Sequence, residues 1–353
     1  MKIKIAVLDK DEIFLKRLYT SLGTRYKDKL EMLLFTDETT MLKSMKEDRV
    51  DVLLASEDFE IDTKSIPTRT AFAYFVSDKD VVTYLEQPAI SKFQKAELIY
   101  KDIVNIFSEK TEDTSQYKYS DKDSQIIIFS SPCGGTGTTS VAIACAINFA
   151  REGFRTLYLN LESFGAADIL LSGEGKYGMS DVIYAIKRKS NLDMKLESCI
   201  KQDSKSGIYF ISSTGHALDM ISMGKEEKIV LIKELSKVDK FDYIIVDMDF
   251  GFDKDTFDVY SVADNLVMVN DGSLIANSKV SRMYGALCIK EEEDASLRLI
   301  HKLNIIYNKV DNGTGGVLQD INIKELGGIG KYKGSVLQII RELSKSDIYN
   351  GLR

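Results

Sequence analysis

From Gln125 to Ser140 the chain reads Gln-Ile-Ile-Ile-Phe-Ser-Ser-Pro-Cys-Gly-Gly-Thr-Gly-Thr-Thr-Ser. No other stretch limits so strongly what it can fold into. The apolar run Ile126–Phe129 is a short buried strand, and it stops at a loop holding three glycines. Behind the loop a pattern of small residues, Val141 to Ala150, reads as a helix closed by Gly153. Strand, glycine loop, helix is the context in which a backbone can wrap a phosphate, because glycine lets successive N–H groups turn inward and a helix N-terminus adds its dipole. Thr138 stands where a lysine is expected in the common form of such loops. Taken alone, the stretch is equally an ordinary tight connection.

A second feature favours the phosphate reading. Phe-Asp-Tyr-Ile-Ile-Val-Asp-Met-Asp, Phe241 to Asp249, is an apolar strand ending in a carboxylate. In a parallel sheet Asp247 emerges at the same carboxyl edge as the glycine loop. A phosphate-bound Mg²⁺ needs a hydroxyl and a carboxylate, the latter held through water, and Thr139 and Asp247 are placed to supply them. Cys133, Gly134, Gly135, Thr136, Gly137, Thr138, Thr139 and Ser140 are then the candidate nucleotide-binding residues, with Mg²⁺ as the metal. Asp249 is either a second acid or an exposed cap. Cys133 reads as the small residue this loop carries rather than as a redox thiol.

The rest of the chain alternates apolar runs with amphipathic ones. Residues 1–107 carry strands at Lys4–Leu8, Met32–Phe35, Val50–Ala55, Ala71–Val76 and Ala89–Phe93. Helices are expected at Asp11–Leu22, Glu38–Lys46, near Asp80–Leu85 and at Lys95–Phe107. Residues 108–124 contain no aliphatic side chain and read as a linker. Residues 125–353 add strands at Thr156–Leu161, Gly207–Ser212, Phe241–Asp249, Asn265–Val269 and Leu303–Asn308. Helices are expected at Gly178–Ile186, Lys225–Lys237, Ser278–Ile289 and Val336–Leu343, the last packed rather than laid on a membrane. The run Glu291-Glu292-Glu293-Asp294 reads as a solvated loop, and His216 and His301 as surface residues. Continuous apolar strands separated by helices predict an α/β chain of two doubly wound parallel-sheet domains.

These residues carry two resemblances. The first domain resembles a response-regulator receiver: Asp9 and Asp11 follow its first strand, Ser77 and Lys92 stand where that family keeps a hydroxyl and a lysine. Ser56 occupies the place of the phosphorylatable aspartate and Lys10 interrupts the acids, so the resemblance implies a receiver that is not phosphorylated. Pro-Cys-Gly-Gly-Thr-Gly-Thr-Thr-Ser resembles the deviant Walker A loop of the MinD/ParA superfamily, usually Gly-Lys-Gly-Gly-Val-Gly-Lys-Thr-Thr. Leu-Asn-Leu-Glu-Ser-Phe-Gly with Asp168 resembles the family's second acidic strand, with Asn160 and Glu162 in place of two aspartates. Val-Asn-Asp-Gly-Ser resembles the segment after its fifth strand, and Asn308-Lys309 the Asn-Arg or Asn-Lys that contacts adenine. An atypical receiver before such a domain is similar to the TadZ/CpaE family of pilus-assembly proteins.

That resemblance implies an ATP-bound homodimer. It would act in assembly and polar localisation of Flp (tight adherence) pili, with pilus and secretion machinery at the cell pole as partners. Glu162 and Asp247 are the catalytic candidates it offers. Cys133 and Thr138 replace both family lysines, so hydrolysis is expected to be slow or absent and the enzyme question stays open. The rival readings are a receiver-linked NTPase acting in signalling or transcription and a ParA-type partitioning ATPase. The first needs a DNA-reading helix-turn-helix and an intact catalytic loop, the second two lysines and a basic face. A net charge of −7 argues against a broad nucleic-acid surface. Four scattered cysteines and two histidines offer no zinc or iron–sulfur set. With no apolar run near the ~18 residues of a membrane helix, a cytoplasmic chain is expected, membrane-peripheral or polar only through partners.

Overall fold

A computed structural model of the chain describes residues 2–111, 124–237, 241–310, 316, 318 and 321–353. Most of the expected linker, 112–123, lies outside them. The described residues form two compact units. The first holds the chain up to 111 together with Lys187–Ser198; the second holds 124–186 and the chain from 199 on.

The first unit is a six-stranded sheet of β1 (Ile3–Leu8), β2 (Leu30–Phe35), β3 (Val52–Ser56), β4 (Ala71–Val76), β5 (Thr83–Tyr84) and β6 (Gln87–Ser91). The spatial order is β2-β1-β3-β4-β6-β5, parallel except for the β5–β6 pair. Side chains alternate between the faces of each strand, which divides the apolar runs between two cores. Ile5, Val7, Val52, Leu54 and Phe75 pack under Leu15, Leu18, Ile103 and Phe107, while Ala6, Leu8, Leu53, Ala55 and Tyr74 pack with Met41 and Met45. The expected first helix is shorter: Glu12–Leu18 is α-helical, capped by the Asp11 carboxylate, and Tyr19–Gly23 continues as a π-helical turn. The helix expected near Asp80–Leu85 is a β-hairpin instead. Leu85 and Glu86 take φ of 46° and 61°, the left-handed pair that a two-residue turn between right-twisted strands requires.

Residues 187–198 contain most of the unread helix Leu192–Cys199. Lys195 is fully buried, its ammonium donating to Asn105 Oδ1, and Glu197 accepts from the Tyr100 hydroxyl at 2.9 Å.

The second unit is an eight-stranded sheet. Its strands are β7 (Gln125–Ser130), β8 (Thr156–Asn160), β9 (Ile200–Gln202), β10 (Tyr209–Ile211), β11 (Tyr243–Asp247), β12 (Asn265–Asn270), β13 (Leu303–Val310) and β14 (Lys324–Gly330). Their order is β14-β13-β12-β7-β11-β8-β10-β9, with only β9 antiparallel to its neighbour. The helix Thr138–Arg151 lies against the sheet, with Val141, Ala142, Ala144, Cys145 and Ala146 wholly buried. Small side chains suit it because the helix Val336–Leu343 covers it in turn through Ile340 and Leu343. Glu291, Glu292 and Glu293 end the helix Leu274–Glu293 and are not a loop; Glu291 Oε1 accepts from Leu299 N at 2.5 Å and Ile300 N at 2.7 Å. His216 and His301 are exposed. No helix among the described residues is long and apolar enough to cross a membrane.

Candidate functional site at the carboxyl edge of the second sheet

β7 lies between β12 and β11, so the loop that follows it opens at the middle of the sheet's carboxyl edge. The Ser131 hydroxyl anchors the loop's entry, lying 2.7 Å from Val269 O and 2.9 Å from Cys133 O. Gly135 and Gly137 take φ of 81° and 89°, a region that L side chains adopt only with strain. Gly137 is also the N-cap of the following helix. Cys133 N donates to Ser131 Oγ at 3.2 Å, but the N–H groups from Gly134 to Thr139 find no acceptor among the described residues. A run of unpartnered backbone donors around a helix N-terminus is an anion cradle.

Cys133, Gly134, Gly135, Gly137, Thr138, Thr139, Glu162 and Asp249 line one cleft of about 300 Å³, together with Met248 and Phe250. No lysine, arginine or histidine lines it among the described residues. Thr136 is buried, its hydroxyl 3.3 Å from that of Thr138. Ser140 is half-buried in the first helical turn. Asn308 is buried at the end of β13, where its amide donates to Thr136 O at 2.8 Å; Lys309 Nζ donates to Gly135 O at 2.6 Å.

Asp247 ends β11, in register with Phe129 on β7 and Asn160 on β8. It is fully buried, and Tyr158 donates to its Oδ2 at 2.9 Å while Oδ1 has no partner. Burial, reinforced by the nearby Glu162 charge, raises the carboxyl pKa from 3.8 to about 7 against the opposing hydroxyls of Tyr158 and Thr139. Period-two alternation puts Tyr158, Asn160 and Glu162 on one side of the β8 line. Asn160 Nδ2 donates to Tyr158 Oη and to Glu162 Oε2, both at 3.1 Å, and Thr139 Oγ1 donates to Glu162 Oε2 at 3.4 Å. Thr139, Glu162 and Asp247 therefore meet at one place. Asp249 is exposed and accepts from Ser163 N at 2.7 Å. Asp168 is exposed outside the cleft. Tyr158 was the participant that pattern-reading missed; its only signal is its place two residues before Asn160.

A divalent cation fits this arrangement. The orphaned Oδ1 of a buried carboxylate, a threonine hydroxyl and a second carboxylate form an oxygen donor set suited to Mg²⁺.

In the first unit the receiver-like residues are engaged by neighbouring groups. Lys92 Nζ pairs with buried Asp9 at 2.7 Å and donates to Ser56 Oγ at 2.9 Å, and Ser56 donates to Asp58 at 2.8 Å. Asp11 is spent on capping its helix, and Ser77 N donates to Glu57 at 2.8 Å. Lys10 lies over the Phe59 ring, 5.0 Å from its centroid. Asp58 is the member of this network that the sequence pattern did not single out.

Comparison with known proteins agrees with both units. Residues 1–108 match the family of TadZ-like receiver domains, and residues 124–298 match an AAA domain family. Among solved structures, a ParA family ATPase from Chlorobium tepidum TLS superposes with a TM-score of 0.52 at 21% identity, over 65% of this chain and 96% of its own. The septum site-determining protein MinD complexed with Mg-ADP from Pyrococcus horikoshii OT3 gives 0.48 at 16% identity, over 63% and 95%. No curated protein matches the sequence significantly. The first unit thus carries a TadZ-like receiver domain, and the second an AAA domain whose fold is shared with the ParA family ATPase.

Proposed function

We propose that the second unit binds ATP with Mg²⁺ and hydrolyses it slowly or not at all. The bound state would act as a homodimeric assembly and positioning factor for Flp pilus machinery, cytoplasmic and drawn to the pole by its partners. One observation carries the nucleotide reading: the N–H groups from Gly134 to Thr139 have no acceptor among the described residues, in a loop that lines a cleft with Glu162, and Asp247 keeps an unpartnered Oδ1 at the end of the neighbouring strand. The N–H groups of the loop would bind phosphate oxygens, and Thr139 and Asp247 would hold the metal, the carboxylate through water. Mg²⁺, when bound, neutralises phosphate charge. Glu162, which lines the cleft and accepts from the Thr139 hydroxyl, would be the group to accept a proton from water. A cleft lined by carboxylates, with no cation among the described residues, stabilises little charge on a departing phosphate, which is why hydrolysis is expected to be weak. Calorimetric titration of the full chain should show saturable Mg-ATP and Mg-ADP binding, with phosphate release near background. No heat of binding at millimolar Mg-ATP would overturn the reading.

The pilus assignment is supported by the pairing of a TadZ-like receiver with a ParA/MinD-type fold. The dimer is supported by an apolar rim on the carboxyl edge around the loop. Phe164 and Ile169 follow β8, Leu218 and Ile221 follow β10, and Leu274 and Ile275 follow β12. All six are exposed, Leu274 at 85%. The double substitution Leu274→Asp, Ile275→Asp is expected to abolish the Mg-ATP dimer in sedimentation while nucleotide affinity stays within about twofold, because neither side chain lines the cleft. A dimer surviving both charges would exclude this rim as the interface.

A further inference from the structure

We propose that Asn308 and Lys309 are positioning residues that brace the glycine loop from its outer side. In that role they replace, by backbone alignment, what the loop lost with its lysines. The two residues hold successive carbonyls, Lys309 that of Gly135 at 2.6 Å and Asn308 that of Thr136 at 2.8 Å. A trans peptide is planar, with its C=O and N–H pointing in opposite directions. Fixing those two oxygens on the outside therefore fixes the N–H groups of Thr136 and Gly137 toward the cradle, where neither has an acceptor within the described chain. The ammonium does more than hold: a positive charge on the Gly135 oxygen polarises the same peptide so that its N–H is a stronger donor to an anion.

Two further features show that the brace is built. A Cβ on Gly137 would lie 2.6 Å from Asn308 Nδ2 and 3.5 Å from Lys309 Cε, so the pair is pressed against the loop. Lys309 takes φ of 63°, a conformation uncommon outside glycine that turns its side chain back onto the loop. Both residues lie beyond the 124–298 stretch matched to the AAA domain. As the donor on Thr136 O, the Asn308 amide nitrogen serves the loop, whereas the resemblance alone assigns the residue to a base.

The affinity arm of the test rests on the nucleotide reading above; the order arm does not. Lys309 is exposed, so Lys309→Met is expected to fold. In nucleotide-free full-length protein, amide order parameters at Thr136 and Gly137 should fall from the rigid value of about 0.85 in the wild type to below about 0.6 in the variant. Mg-ATP affinity should weaken by about tenfold, the loss of one charge-assisted hydrogen bond, while adenosine affinity stays within about twofold. Lys309→Arg should restore both. Unchanged order parameters would overturn the brace whether or not nucleotide binds. Equal losses for adenosine and Mg-ATP would overturn it too, by making Lys309 a base contact. Should the wild type take up no Mg-ATP, the nucleotide reading alone falls and the order parameters still decide the brace.

Discussion

Asp247→Asn is expected to strengthen the metal-free fold and to abolish Mg²⁺-dependent nucleotide binding. The native carboxyl keeps its proton up to about 7, against 3.8 in the unfolded chain. Between those values the folded state holds one more proton than the unfolded state, so this group makes stability fall as pH rises. Its contribution is fully lost above the folded pKa. At about 1.4 kcal/mol per unit the ceiling is on the order of 4 kcal/mol. Several surface carboxylates act in the opposite sense: Asp37 and Asp253, held low by backbone and side-chain hydrogen bonds from Thr40 and Thr256, gain stability as pH rises through the acid range. The effect is therefore read as the difference between wild type and variant in urea unfolding. That difference should grow from pH 4 to about 7 and then level off. Asparagine is close in shape, keeps an oxygen for the Tyr158 hydroxyl and brings no charge into the buried site. Saturating Mg-ATP should reverse the ranking, since only the carboxylate satisfies the metal. A variant no more stable than wild type at pH 8 would overturn the raised carboxyl pKa, and one that binds Mg-ATP equally well would remove Asp247 from the metal-binding role.

The legibility of this chain follows from the range of the forces involved. Central strands such as Ile126–Phe129 and Tyr243–Val246 are buried on both faces, so their sequences are unbroken apolar runs. The loop and Asp247 were readable because each directly follows such a run. The hairpin at Leu85-Glu86 was not readable, since those residues lack the Asn-Gly chemistry that announces a left-handed turn. β14 hid for a related reason: Lys-Glu-Leu-Gly-Gly-Ile-Gly has little β propensity, and its pairing with β13 comes from tertiary context. The helix Leu192–Cys199 carries a buried lysine whose partner, Asn105, is 90 residues away; local periodicity holds no trace of such a bond. The same limit applies at the site. Tyr158 belongs to it only because β8 lies beside β11, and Asn308 reaches Thr136 across a sequence separation of 172.

The glycine loop provides the sharpest test, because its three glycines are not equivalent. A Cβ at Gly134 would meet nothing within 4 Å and its φ is not positive, so Gly134→Ala should leave Mg-ATP affinity within about twofold. Gly135 also faces open space but has φ of 81°. Alanine there bears only the left-handed strain of about 1–2 kcal/mol, a several-fold to roughly thirtyfold loss. At Gly137 the same strain is joined by a Cβ placed 2.6 Å from Asn308 Nδ2. Asn308 cannot yield cheaply, because it is buried and its amide is bonded to the loop it would have to leave. Gly137→Ala must therefore push the loop outward or break the bond to Thr136, and either change misaligns the donors at the helix N-terminus. We expect at least about a hundredfold loss of Mg-ATP affinity, equivalent to about 3 kcal/mol. The buried body of the helix Thr138–Arg151 should keep the unit folded, with a small drop in melting temperature. Calorimetry of the three variants side by side should give the order Gly134, Gly135, Gly137 in increasing damage. Equal affinities in all three would place the nucleotide somewhere other than this loop.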